Sequence, residues 1–516
     1  MTFVHRPAVL ARGGLVVAGH HFAAEAGAAV LREGGNAMDA AVSAAATLAI
    51  AIPFMNGLGG DCFVLWHDAK RGASFAINGS GAAPRAATPE AYRKAGHKAV
   101  PSHGPLSIST PGAVHAWARC LKLYGTIDFA RAIRPALELA EAGLPLDRLL
   151  RDYLNGENYA LRVKAHAPLA GLYGAPGGRR LGETIKLPVL AATLRTLHAK
   201  GPCTLYGGEI GKALAADMAR AGSILTNDDL AAHDTLIQTP LSVNYRGHEI
   251  LASPPNTQGI ALLAILGVLE RLPPGPALLR FMRAKLAAFA LRDRHLGDPT
   301  FAPVPADALT PAGLDALARA APVRAPATKP VGGDTSTLVV VDRWGNAVSW
   351  VQSLFDAFGS GIASPETGLV MQNRLSMCTL DESGPARLVP GKRTPHTLCP
   401  ALVLHGGRLR ASMTTPGDHG QPQSLAQIAV HLIDNAMDPQ EAIEAPRIRH
   451  DAGNVVMHES RVPTADLAPL IEAGFALEDV GPWSRLMGGA CAIWRQDDGL
   501  LIGGADPRRA PYAVAA

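Results

Sequence analysis

Apolar residues between about 110 and 300 fall mainly at three- and four-residue spacing, the period of helix faces; beyond Gly333 they alternate or run in short blocks, the pattern of strands. A first strand is predicted at Leu15-Val-Val-Ala18. A helix from Ala23 to Glu33 stops at Gly34-Gly35-Asn36, residues that tolerate left-handed backbone angles. A second helix, Ala37 to Ala51, halts before Pro53, and its surface of Ala, Ser and Thr permits very close packing. The loop Asn56-Gly57-Leu58-Gly59-Gly60-Asp61 then leads into the strand-like Cys62-Phe-Val-Leu-Trp66. No helix carrying a Lys-Ser/Thr pair follows it, so it reads as a backbone-crowded turn rather than a phosphate cradle.

Residues 110–300 are mostly helical by period, clearest at Pro188–Lys200 and Gly259–Leu272. Ala302 to Gly333 holds six prolines and loses its periodicity after Ala320. That stretch is expected to be mobile and exposed, a natural place for a break in the chain. Three hairpins follow: Thr337–Asp342 with Ala347–Gln352 across Gly345-Asn346, Ala401–Leu404 with Arg408–Ser412, and Ala490–Trp494 with Leu500–Ile502. One helix, Gln423 to Asn435, interrupts them. Helices first and antiparallel hairpins later predict helices layered on antiparallel sheets, an α+β arrangement.

Composition narrows the function classes. With 516 residues, 48% of them apolar and 18% charged, the chain has ample material for a core and is not disordered. Lys+Arg 48 against Asp+Glu 44 leaves +4 with no basic block, which argues against nucleic acid and membrane surfaces as partners. The six cysteines, at 62, 120, 203, 378, 399 and 491, form no CxxC pair and fit no zinc site, so buried free thiols are expected and no metal. No apolar run precedes Arg12, and Ala40–Met55 is too short to span a bilayer. A soluble, cytoplasmic protein is the expectation.

HExxH, G-x-S-x-G, P-loop and Rossmann signatures are absent. What remains is Gly332-Gly333-Asp334-Thr335-Ser336-Thr337, where the Pro/Ala-rich stretch meets a strand. On its own this is a polar turn, but a Thr exposed by cutting the bond before it carries both a hydroxyl and an α-amine. A terminal amine titrates at about 8, so it can act as general base for its own hydroxyl.

Together with Arg32-Glu-Gly-Gly-Asn-Ala-Met-Asp-Ala-Ala41, Met55-Asn-Gly-Leu-Gly-Gly60, Thr335-Ser-Thr followed by Val340-Val-Asp342, Gly345-Asn-Ala-Val-Ser349, Phe358-Gly-Ser-Gly361 and Ala505-Asp-Pro-Arg508, this junction resembles the γ-glutamyltranspeptidase family of N-terminal-nucleophile hydrolases. The resemblance runs in order from about residue 14 to 509. It implies a four-layer αββα sandwich made from one precursor, cut between Asp334 and Thr335 into a large chain, 1–334, and a small chain, 335–516. It further implies Thr335 as nucleophile, its freed amine as base, Ser353 and Thr337 as supporting hydroxyls, and the N–H groups of Gly417 and Asp418 as oxyanion donors. One such preorganised donor contributes about 3 kcal/mol to lowering the barrier. Asp418 departs from the glycine usual there.

Classical members hold the γ-glutamyl group with an arginine, an asparagine, a glutamine, an aspartate and two serines; the matching positions here are Ser80, Phe355, Arg374, Met377, His396 and Thr397. Losing the aspartate at Met377 removes the counter-charge for an α-ammonium, and Arg374 adds a cation. Such a pocket suits an acyl group with a carboxylate and no amine, narrowed by Phe355, with His396 as a second candidate donor. Gln372-Asn-Arg374, Pro395-His-Thr-Leu398, Gly420-Gln-Pro-Gln423 and Phe289-Ala-Leu-Arg-Asp293 further resemble the oxamate amidohydrolase branch, which acts in purine degradation and turns oxamate into oxalate and ammonia. A γ-glutamyl hydrolase or transferase, a glutaryl-type acylase and an unprocessed binding protein remain as alternatives. No cofactor is implied. The expected partners are a small amide and the two chains of one precursor, with a homodimer of the processed pair as a further expectation.

Overall fold

In the strand Asp334–Asp342 the alternation of side chains decides which layer each one joins. Leu338 and Val340 enter the core beneath a layer of helices, whereas Val339 and Val341 enter the core between two sheets. The computed structural model describes residues 4–321 and 334–516. In it, that strand lies third in a seven-stranded sheet whose spatial order is Tyr512–Ala515, Gly14–Ala18, Asp334–Asp342, Ala347–Phe355, Asp61–Asp68, Ala73–Gly79, Leu236–Gln238. The facing sheet runs Val9–Ala11, Leu501–Ala505, Cys491–Arg495, Arg408–Thr414, Ala401–His405, His248–Ala252, Leu241–Tyr245. Leu15, Val17 and Leu65 from the first sheet meet Leu402, Ile493 and Leu501 from the second.

Helices close both outer faces. His21–Arg32 and Ala37–Ala51 cover the first sheet; all fifteen residues of Ala37–Ala51 are buried, which its small side chains allow. Gly259–Arg271, Ala277–His295 and Gln421–Ile433 cover the second. The result is the αββα sandwich that the resemblance implied, with the three expected hairpins in antiparallel register.

Two expectations need correction. Of the run 302–333, residues 322–333 lie outside the described part, but Pro311–Arg319 is a packed helix: Thr310 caps the Gly313 N–H at 3.3 Å, and Leu314 is buried against Gly267. Proline at the first helical position starts this helix rather than breaking it. The six thiols are free, but only four are buried: Cys378 is half-buried and Cys203 is exposed, in a turn after the helix Pro188–Lys200. Among the described residues no helix is long and apolar enough to cross a membrane, and no group of three or more His, Cys, Asp or Glu could hold a metal ion.

Candidate active site

The strand Asp334–Asp342 pairs with Ala347–Phe355, and the ladder slips where Thr335 sits. Asp334 faces Phe355 and Ser336 faces Gln352, so two residues, Ser353 and Leu354, oppose Thr335 alone. The bulge brings Thr335 Oγ1 to 3.5 Å from Ser353 Oγ, whose hydroxyl accepts the Phe355 N–H at 2.7 Å. Ser336 is anchored to a polar knot: Asn56 Nδ2 donates to Ser336 Oγ (2.9 Å) and to Ile52 O (3.0 Å), while Gln352 Nε2 donates to Asn56 Oδ1 (2.5 Å). Thr337 Oγ1 lies 3.8 Å from Cys491 Sγ of the facing sheet. The glycine loop is the crowded turn it was read as, since a Cβ on Gly60 would lie 2.5 Å from the Ser353 carbonyl oxygen.

Beyond Ser353 the chain turns sharply. Phe355 has φ of +81°, a strained angle for a bulky residue, and its ring lies under the Arg374 guanidinium, 4.2 Å from the charge centre. Arg374 opens the short helical turn Arg374–Met377 and is fully buried. Its Nη1 reaches Thr397 Oγ1 at 3.4 Å, while among the described residues Nε and Nη2 have no hydrogen-bond partner. Met377 closes the same turn, half-buried. His396 Nε2 stands 3.1 Å from Asp61 Oδ2 without hydrogen-bond alignment, and its ring packs edge-on against Phe63. Ser80 belongs to a neighbouring amide network: its hydroxyl donates to Asn78 Oδ1 (2.6 Å) and accepts from Asn256 Nδ2 (3.0 Å).

Gly417 and Asp418 form the turn ahead of the helix Gln421–Ile433, with φ of +128° and +56°. Asp tolerates the left-handed angle that glycine would normally supply. Both Asp418 carboxyl oxygens are buried with no hydrogen-bond partner among the described residues.

These charges shape one another. Burial raises the Asp61 carboxyl to about 7 against the pull of Arg374. Burial also raises Asp418 to about 7, with Arg449 drawing it down, Asp451 pushing it up and Arg374 drawing it down again. Burial lowers Arg374 to about 10, opposed by Asp61, Asp418 and Asp356; the guanidinium stays charged at neutral pH. Burial, reinforced by Arg374 and Arg393, holds His396 far below its usual range, so it is a neutral donor or acceptor. The arrangement can therefore hold an anion at Arg374, which Phe355 and Ser353 link to the Thr335 hydroxyl.

All the residues singled out from the sequence lie in this region except that Thr337 faces the second sheet and Ser80 lies one hydrogen-bonded layer back. Sequence reasoning missed Asp61 and the Asp418 side chain. An aspartate opening an otherwise apolar buried strand was the available signal for Asp61.

Two sheets between helical layers, with Thr335 near the start of a central strand, define the sandwich of the N-terminal-nucleophile hydrolases. The family description Gamma-glutamyltranspeptidase matches residues 23–516. The chain is 37% identical over 525 residues to the oxamate amidohydrolase proenzyme of Klebsiella pneumoniae subsp. pneumoniae, covering 96% of this chain and 97% of that protein. It is 35% identical over 518 residues to the glutathione hydrolase-like YwrD proenzyme of Bacillus subtilis, covering 97% and 98%. Cephalosporin acylase from Bacillus halodurans has the same fold in its crystal structure, with a TM-score of 0.93 and 31% identity over 100% of this chain and 98% of that one. The chain belongs to the γ-glutamyltranspeptidase family and is an amide-hydrolysing enzyme.

Proposed function

We propose that this chain cuts itself between Asp334 and Thr335 and then hydrolyses a small amide bearing a carboxylate, with oxamate as the representative substrate. One observation carries the reading: Arg374 is fully buried, its Nε and Nη2 have no hydrogen-bond partner among the described residues, and it connects through Phe355 and Ser353 to Thr335. A buried cation of this kind is costly unless an anion completes it.

In the proposed reaction the Thr335 hydroxyl adds to the amide carbonyl and passes its proton to the freed α-amine. The oxyanion is met by the N–H groups of Gly417 and Asp418. Collapse breaks the C–N bond; the protonated amine returns the proton, and ammonia leaves an oxalyl ester on Thr335. Water, deprotonated by the same amine, releases oxalate. Arg374 and the Thr397 hydroxyl hold the acyl carboxylate, and neutral His396 offers a further hydrogen bond. No step calls for a cofactor. A homodimer of the processed pair and a cytoplasmic setting complete the proposal.

A second reading has its own observation. Asp61 and Asp418 place two carboxyls near Arg374, enough to receive an ammonium and so to favour a γ-glutamyl donor. The glutaryl-type acylase alternative shares the Arg374 argument. Ammonia release from oxamate, with a γ-glutamyl anilide as comparator in the same buffer, separates the first two. Turnover of oxamate alone is expected; turnover of the anilide alone would mean that the two carboxyls, not Arg374, set specificity.

A further inference from the structure

Two separate segments meet at the site. Residues 394–399 carry Thr397 and His396, and residues 417–421 carry the turn proposed to bind the oxyanion. One buried side chain joins them. Gln258, just before the helix Gly259–Arg271, is fully buried, and its amide nitrogen donates to Thr397 O at 2.5 Å and to Asp418 O at 2.7 Å. Both N–H groups of the amide are thereby used, one on each segment.

The amide is held in this sense by its other end. Arg292 Nη1 donates to Gln258 Oε1 at 3.2 Å and stands 3.1 Å from His419 Nδ1, the residue after Asp418. Arg292 is itself fixed: its guanidinium lies over the Phe289 ring at 3.8 Å, and Nε donates to Asp293 Oδ1 at 2.7 Å. With Arg292 occupying the oxygen side, only one amide orientation presents both N–H groups to the two carbonyls. These three residues come from the run Phe289-Ala-Leu-Arg-Asp293, which the reaction chemistry leaves without a role. A second glutamine strengthens the link, since Gln421 Oε1 accepts the Cys399 N–H at 2.9 Å.

We propose that Gln258, oriented by Arg292, is a positioning residue that fixes the distance between the acyl-carboxylate clamp and the oxyanion turn. The proposal rests on the functional reading above for the identity of those two sub-sites. A misplacement of about 1 Å between reacting groups costs on the order of 100-fold in rate, so a tether with both ends on backbone carbonyls governs turnover more than binding.

The test uses the full-length protein and, as substrate, whichever of oxamate or a γ-glutamyl anilide the unmodified enzyme turns over, so that losing the oxamate assignment leaves the measurement standing. For Gln258→Leu, kcat per titrated active site is expected to fall by roughly 10- to 100-fold, with a smaller rise in KM. Gln258→Glu supplies a variant of nearly the same shape. As a carboxylate it repels the two carbonyls; as an acid it restores one donor. Arg292, His419, Asp418 and Asp293 surround it, and the first holds it ionised at higher pH. Its kcat relative to the unmodified enzyme is therefore expected to rise as pH falls from about 8 to about 6. A purely structural glutamine would lower the melting temperature and the fraction of active sites while leaving kcat per site unchanged. That result, or a flat pH ratio for Gln258→Glu, overturns the proposal. Arg292→Lys keeps the charge but loses the fork, and an unaltered kcat in that variant would remove Arg292 from it.

Discussion

Arg374 keeps its charge while fully buried because three carboxyls lie near it and because one face of its guanidinium rests on Phe355. Replacing it by methionine keeps the volume and removes the charge. A charge-assisted hydrogen bond contributes about 1.5–3 kcal/mol, so Arg374→Met is expected to raise KM for oxamate by about 10- to 100-fold, measured as ammonia release. Lysine should not rescue it, since a point charge cannot reproduce the planar fork.

The same residues set a pH dependence. Asp61 and Asp418 both titrate at about 7. Below that they are neutral, and Arg374 attracts an incoming carboxylate with only Asp356 to offset it; above it, their negative charges offset Arg374 further and repel the substrate. KM for an anionic amide should therefore rise between about pH 6 and pH 8, in the direction opposite to any gain in kcat as the Thr335 amine loses its proton. Asp418→Asn should flatten part of that rise. A KM profile in the variant identical to that of the unmodified enzyme would show that Asp418 does not sense the substrate's charge.

At the scale of elements, the strands and helices with strong periods were legible in the sequence, and so was the glycine loop before Cys62. Ala37–Ala51 and Pro188–Lys200 begin and end where the pattern placed them, because a capping asparagine or a first-turn proline starts each one. The helix Pro311–Arg319 was lost among prolines, since its single buried anchor, Leu314, gives no repeat to read. The bulge at Thr335 was also illegible: it depends on how two strands of the chain register, which no local pattern specifies. For the same reason Gln258 was invisible, as its partners lie 139 and 160 residues away. The loop's crowding leads to a further expectation. Gly60→Ala would push a methyl to 2.5 Å from the Ser353 carbonyl; the strand must shift, at a cost of about 1–3 kcal/mol. A lower melting temperature together with a reduced kcat should follow. An unchanged kcat would show that the Ser353 strand yields without disturbing Thr335.

For the whole molecule, the proposed cut falls inside a sheet. Gly14–Ala18 and Asp61–Asp68 lie upstream of it; the strand Asp334–Asp342, from Thr335 onward, and Ala347–Phe355 lie downstream, and in space these two lie between the upstream pair. The facing sheet mixes both halves in the same way. Neither half can close a sheet without the other, so the two chains should co-purify in native buffer and separate only in denaturant. A single intact mass near 53.7 kDa would contradict the cut. Thr335→Ala should remain one chain and be inactive.

That interleaving also gives the molecule a history. Before the cut, every strand finds its neighbour along one tether, and folding is a first-order event. Afterwards the same contacts must form between two separate molecules, so recovery from denaturant becomes dependent on concentration. The Thr335→Ala precursor should refold at a rate independent of dilution, whereas the mature protein should regain activity more slowly and less completely as it is diluted. The enzyme would then be assembled once, in its uncut form, with its persistence thereafter set by how slowly it opens.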